Sequence, residues 1–235
     1  MINQKPIYLM SGGRGASEKA TTSIMQAVFR EIGKASPTIA YVGAASDDNW
    51  VFYKFVSGMI QKAGDCHIAR VALSSKKADL QKARNALQSA DAIFMSGGDV
   101  ERGMEILEEK LMADFLRELF QQGKLFFGSS AGSIMLAREW VRWRDPDDES
   151  TAELFRCLGL APVICDTHAE GDHWEELKAA LHLKGDGAQG YGIATGTCLK
   201  VARDGKLEAL GGPVSLFRKV DQTIARQPDI LPIRT

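Results

Sequence analysis

The sequence predicts an α/β protein with a mostly parallel central sheet, and three observations predict it. Short apolar runs alternate with longer amphipathic ones through the first half of the chain. Glycines punctuate the junctions, and Leu125-Phe126-Phe127 is a continuous apolar run of the kind found in strands buried on both faces. Ile7–Met10 is the first expected strand and ends in Ser11-Gly12-Gly13. Ala20, Ile24, Ala27, Val28 and Ile32 follow at helical spacing, and Gly33 closes that helix. Thr38–Val42 is the second strand, a helix over 49–63 runs to Gly64, and Cys66–Val71 is the third strand. Leu80, Ala83 and Leu87 mark a third helix, and Ala92–Met95 leads into Ser96-Gly97-Gly98. Met104, Leu107, Leu111, Phe115 and Leu119 fall on one face of a single long helix stopped by Gly123. Strand–helix units in this order imply right-handed crossovers and helices on both faces, a three-layer sandwich.

After Gly132 the pattern changes. A short helix, an extended piece holding Trp140 and Trp143, and an acidic loop from Asp145 to Glu149 come next. Pro162–Cys165 is a further strand, and Trp174, Leu177 and Leu181 predict a last helix. The tail from Tyr191 is expected to be strands, with Asp204-Gly205 turning an antiparallel hairpin between Cys198–Val201 and Leu207–Leu210. No linker, repeat or low-complexity stretch interrupts the pattern, so residues 1–235 are expected to form one domain.

Composition narrows the function classes. Hydrophobic residues make up 45% and charged residues 25% of 235, enough for a core without disulfides or metals. The 29 basic and 30 acidic side chains leave a net charge of -1, with no basic stripe of the sort nucleic acid demands. No run approaches the length of a membrane span, and Ile7-Tyr8-Leu9-Met10 is too short for a signal peptide. Cys66, Cys157, Cys165 and Cys198 show neither a Cys-x-x-Cys pair nor zinc spacing, so they are expected to be buried reduced thiols of a cytoplasmic protein.

In a parallel α/β sheet, function collects where strands lead into helices at their carboxyl ends. Of the small-residue loops at such places, Gly128-Ser129-Ser130-Ala131-Gly132 is the informative one. Gly-x-Ser-x-Gly between a buried strand and a helix is the nucleophile-elbow pattern, in which a sharp turn projects the serine hydroxyl from the sheet edge. A Cβ at Gly128 or Gly132 would collide with neighbouring backbone. The amide of Ala131, opening the next helix, would point at an oxyanion formed by attack of Ser130 on a carbonyl. A serine needs a base, and His168, in the loop after the strand at Pro162–Cys165, suits that role better than His67, His173 or His182. Acidic candidates to orient it crowd at Asp145, Asp147, Asp148 and Glu149, with Asp166 also near.

These residues resemble the peptidase E family of serine peptidases, which includes aspartyl dipeptidase and cyanophycinase. The resemblance implies a class I glutamine-amidotransferase-like, flavodoxin-like α/β fold and a Ser-His-Asp triad. Gly128–Gly132 is similar to the family's nucleophile turn. Phe94-Met95-Ser96-Gly97-Gly98-Asp99 is similar to its strand-then-glycine loop, in which Gly98 would supply the second oxyanion amide, with Gly97, Asp99 and Ser129 beside the substrate. Asp166-Thr167-His168 resembles the segment that holds the base. Asp145 and His168, 15 and 38 residues past Ser130, fall at the spacing of the family's acid and base, with Asp147 the nearest competitor to Asp145. The chain departs from the pattern at Asp99-Val100, where a polar contact after the glycine pair is replaced. Members that act on aspartate-containing substrates carry arginines after the histidine; here that stretch holds Glu170, Asp172, Glu175 and Glu176 instead.

The resulting expectation is a small-peptide hydrolase that needs no metal or organic cofactor, binds neither nucleic acid nor membrane, and does not prefer aspartate. Arg14, Arg142 and Arg144 are the residues that could restore acid recognition from another loop. A homodimer is compatible with the sequence. Competing readings are an esterase of the α/β-hydrolase type, for which Ser130 and His168 stand too close in sequence, and a non-catalytic binding protein on the same fold. Nucleotide binding by Gly12-Gly13-Arg14-Gly15 lacks the third glycine, since residue 18 is Glu18. A cysteine-dependent amidotransferase is disfavoured by a serine at the elbow.

Overall fold

The computed structural model describes residues 5–12, 15–145 and 147–232. Its centre is five mutually parallel strands: β1 Ile7–Met10, β2 Thr38–Val42, β3 His67–Val71, β4 Ala92–Met95 and β5 Leu125–Ser129. Between them run α1 Glu18–Ile32, α2 Trp50–Ala63, α3 Leu80–Ser89, α4 Val100–Glu109 and α5 Ala113–Gln121. α6 Ala131–Leu136 follows β5 directly, and β6 Glu139–Trp143 pairs antiparallel with β7 Ala152–Arg156. Next come β8 Cys165–Thr167, α7 Glu175–His182, β9 Gln189–Ile193, β10 Cys198–Val201, β11 Leu207–Leu210, β12 Val214–Val220 and β13 Thr223–Ile230. The main sheet has the order β11-β10-β1-β5-β4-β2-β3, and a second sheet has the order β13-β12-β9-β8.

Strand pleating explains the three layers. Along β1 and β5, Leu9 and Phe126 point to the side covered by α3, α4, α5 and α6, whereas Tyr8 and Phe127 point to the side covered by α1 and α2. All four are within 2% of full burial, so each face of the central strands is sealed by its own apolar cluster. The antiparallel addition at the β1 edge is the hairpin that turns at Asp204-Gly205, with Gly205 at φ 83°. Among the described residues no helix is long and apolar enough to cross a membrane. The four cysteines are free and buried.

Three features differ from the sequence reading. The β8 strand begins at Cys165, so it lies later than the expected Pro162–Cys165. The strand β7 and the β12–β13 hairpin were not anticipated as such; their burial is half-sided and their polar content masks the period. The single helix expected up to Gly123 is two, broken at Leu111. There the amide of Leu111 donates to Glu108 O (3.0 Å) and that of Met112 to Leu107 O (2.8 Å), the paired bonds of a Schellman stop. The break buries Met112 completely and leaves Leu111 exposed at 74%, reversing the face its spacing implied. Gly123 and Lys124 close α5 by the same pair of bonds.

Leu111 occupies the left-handed position of that stop at φ 54°, where a Cβ costs about 1–2 kcal/mol. Glycine relieves this at a smaller entropic cost. Leu111→Gly should therefore stabilise the fold by roughly 0.5–1 kcal/mol, read as a rise of about 2 °C in Tm. A lowered Tm would show that the exposed side chain contributes packing the exposure denies.

Candidate active site

Ser130 sits between β5 and α6 with φ 56° and ψ -129°, a combination that L-residues adopt only under constraint and at a cost of about 1–3 kcal/mol. The constraint is visible. Its amide donates to Met10 O at the end of β1 (3.0 Å), and the Ser133 hydroxyl donates to the same oxygen (2.8 Å). A Cβ on Gly128 would lie 2.6 Å from the Gly132 carbonyl, and one on Gly132 would overlap the carbonyl of Met95. The turn can close this tightly only with glycine at both positions.

His168 follows β8 immediately and is also left-handed, at φ 46°, with its amide donating to Ile193 O (3.0 Å). That bend swings the exposed imidazole over the elbow, and Ser130 Oγ lies 2.6 Å from His168 Nε2. With the proton on Nδ1, Nε2 accepts from the hydroxyl, the arrangement required of a general base.

The third loop comes from β4. Gly98 is at φ 141°, and a Cβ there would overlap the Ala45 carbonyl. The next amide, Asp99, donates to that same carbonyl (2.7 Å). Gly97 is so close to the elbow that a Cβ on it would stand 3.1 Å from Ser130 Cβ and 3.6 Å from Ser130 Oγ. Among the described residues the amides of Gly98 and Ala131 make no loop or cap hydrogen bond to backbone. Asp99 is turned away: its carboxylate caps α4, accepting from Arg102 N (2.8 Å). The Ser129 hydroxyl points towards β1, where a Cβ on Gly12 would lie 2.7 Å from it.

Ser130, His168, Gly97, Gly98 and Ala131 are thus brought together, and Asp145 is not. Pairing of β6 with β7 makes the segment after Trp143 the tip of a hairpin. Asp145 is exposed there, its carboxylate accepting the amide of Asp147 (3.1 Å) and its own amide donating to Thr151 Oγ1 (3.1 Å). Among the described residues no hydrogen bond or ion pair links Asp145 or Asp147 to His168. Glu170, two residues past His168, makes no hydrogen bond or ion pair to it among the described residues; its partner is Thr195. Burial pushes its carboxyl up, but hydrogen bonding to Thr195 and the charge of His168 outweigh this and hold it below the usual range. The Thr195 amide donates to Glu170 Oε1 (3.1 Å), fixing the carboxylate on the same loop as the imidazole.

Two of the three candidate arginines are already paired. Arg142 donates to Glu153 and Glu101 (2.8 Å each), and Arg144 donates to Glu153. Arg14 lies outside the described residues.

Asp166 lies two residues before His168, on β8, only 3% exposed. Its Oδ1 accepts from Thr167 N (2.7 Å), while Oδ2 is buried without a partner. Burial pushes this carboxyl up to about 7, against the Thr167 amide and with help from the charges of Glu176, Asp172 and Glu170. A carboxyl raised on folding stabilises the fold below its unfolded value near ~3.9, and that contribution is lost as pH rises towards about 7. Asn keeps the Oδ1 acceptor and never charges. Asp166→Asn should match the wild type at pH 4 and exceed it by roughly 2–4 kcal/mol at pH 8. Urea denaturation across that range checks this, and parallel pH curves for the two proteins would refute it.

Comparison with known proteins bears on the fold and the family. A solved peptidase from an acI-B1 Actinobacterium superposes with a TM-score of 0.70 at 17% identity, covering 98% of each chain. A putative peptidase E protein from Listeria monocytogenes EGD-e gives a TM-score of 0.65 at 16% identity, over 88% of this chain and 98% of that one. By sequence, the chain is 23% identical to a cyanophycinase of Trichormus variabilis over 225 residues, 92% of this chain and 75% of that protein. It is 24% identical over 127 residues to a pyridoxal 5'-phosphate synthase subunit PdxT of Bacillus mycoides, 54% of this chain and 60% of the relative. The model of peptidase family S51 matches residues 7–209, and the chain belongs to that family of peptidases.

Proposed function

We propose that the protein hydrolyses small peptides by acyl transfer through Ser130, with His168 as base and Glu170, in place of Asp145, as the acid that steadies it. The observation that carries this reading is the 2.6 Å contact between Ser130 Oγ and His168 Nε2 at a turn that holds Ser130 at φ 56°. His168 Nε2 takes the hydroxyl proton as Oγ attacks the peptide carbonyl carbon, and the carbonyl oxygen becomes an oxyanion facing the amides of Gly98 and Ala131. Collapse breaks the C–N bond, and the imidazolium gives its proton to the departing amine. A water molecule, deprotonated by His168, then attacks the acyl-enzyme, and Ser130 leaves with the proton restored. Glu170 stabilises the imidazolium across space in both halves. The four buried thiols suit a reducing, cytoplasmic setting.

Acidic substrates fit this site poorly. Glu170 remains ionised beside the base, and Arg142 and Arg144 are held by Glu101 and Glu153. Recognition of a carboxylate calls for a guanidinium free to pair through two parallel bonds.

Ser130→Ala should abolish both hydrolysis and covalent labelling by a fluorophosphonate, with an unchanged circular dichroism spectrum. Label that persists on Ser129 or Ser133 would displace the assignment. Glu170→Gln should lower kcat by about 10²-fold or more, within the ~10⁴-fold that loss of an orienting carboxylate can cost. Asp145→Asn should be nearly silent; the reverse pattern would return the acid to the hairpin tip.

A further inference from the structure

Gly98 faces two ways. It follows Gly97, which stands against Ser130, and it lines a groove of about 640 Å³ that also takes in Ser46, Asn49, Val51, Phe52 and Phe55. No charged side chain lines it. The two polar ones are partly occupied: Asn49 Oδ1 caps α2 by accepting from Phe52 N (2.9 Å), and Ser46 Oγ donates to Gly43 O (3.0 Å). The Asn49 amide nitrogen can still donate at the rim, and the other side chains of the groove are apolar.

The groove is also where the molecule leaves apolar side chains in water. Of seven exposed large hydrophobic residues among those described, three fall within this six-residue stretch: Trp50, Val51 and Phe55, at 55%, 76% and 62%. The inner face of α2 is already packed through Val56 and Ile60, so its outer apolar turn is not needed to hold the helix on the sheet. Solvent-exposed apolar clusters of this kind mark binding surfaces. Of the nearby cations, Lys54 lies over the Trp50 ring, 5.1 Å from its centroid, and is in no ion pair among the described residues. Arg70 donates to Asp48 O and lies over the Trp50 ring, and Arg102 pairs with Asp47 (3.0 Å).

The geometry points to this groove as the subsite for an apolar side chain, aromatic or branched aliphatic, on a residue flanking the scissile bond. The inference rests on the peptidase reading above. A peptide whose carbonyl oxygen meets the Gly98 amide must run its chain across Gly98, and the groove begins at that residue. Val51 and Phe55, one helical turn apart on α2, are then the specificity-determining side chains.

A library of short peptides varied on both sides of the cleaved bond tests this. At one of the two positions, Phe, Leu or Met should be preferred over Asp or Lys by about 10–100-fold in kcat/KM, the discrimination one apolar pocket can give. Val51→Asp and Phe55→Asp should raise KM for the apolar substrate about tenfold and bring the ratio of apolar to basic substrates to near one or below. Phe55→Leu should keep the preference. Both sites are exposed, so the variants should unfold at the wild-type urea midpoint. A flat or acidic preference in a protein that cleaves peptides and labels at Ser130 would overturn the subsite while leaving the catalytic reading in place. Absence of both labelling and cleavage would overturn the two together. If the wild type is a dimer that Phe55→Asp splits without altering the substrate profile, a second copy occupies the groove and the subsite is refuted.

Discussion

The carbonyl oxygen of Met10 anchors the site. It accepts the Ser130 amide and the Ser133 hydroxyl, so the end of β1 grips the strained turn from both sides of its apex. Without those two bonds nothing would hold Ser130 at a positive φ, because each net hydrogen bond contributes about 1 kcal/mol and the strain is of that order. Met10 can serve because β1 is clamped between β5 and β10 along its whole length. Strain at the nucleophile is therefore supported by the stiffest part of the sheet.

Around that anchor, the convergence of three loops depends on missing side chains. Gly128, Gly132 and Gly98 each stand where a Cβ would run into backbone of another element: the α6 turn, β4 and the Ala44–Ser46 turn respectively. The result is that the carboxyl ends of β4 and β5 and the Ala44–Ser46 turn after β2 come into close backbone contact. The catalytic atoms and the apolar groove consequently share a wall, and a peptide cannot engage one without passing the other.

Much of this was legible in the sequence, because glycine positions and apolar periodicity report directly on backbone. The strand–turn–helix setting of Ser130 and the loop placement of His168 follow from motif and element order, and the five parallel strands from short apolar runs. What escaped depended on side-chain geometry between distant segments. Asp145 was chosen by spacing, yet the β6–β7 pairing carries it to a hairpin tip, and spacing along the chain says nothing about the direction of a loop. Glu170 is fixed by Thr195, 25 residues on, which no local pattern reveals. The break at Leu111 escaped because a leucine stands where glycine normally signals the stop, and helical spacing ran on through it.

The same distinction bears on specificity. A charge count along the segment after His168 gave a repulsive argument, in which acidic substrates are disfavoured because carboxylates lie nearby. At ~4 Å and an effective dielectric near 20, one like-charge contact amounts to about 4 kcal/mol, but exposed Glu170 and Asp172 are screened and act at a fraction of that. Repulsion alone therefore says what is excluded and leaves the choice among neutral side chains open. The groove beside Gly98 supplies the attractive half. It removes apolar area from water at a fixed position, an interaction that salt does not screen and that grows with side-chain size. On the proposed reading, selection against charge by the loop of His168 and selection for apolar surface by α2 are separated by their ionic-strength dependence. The first weakens as salt is added; the second does not.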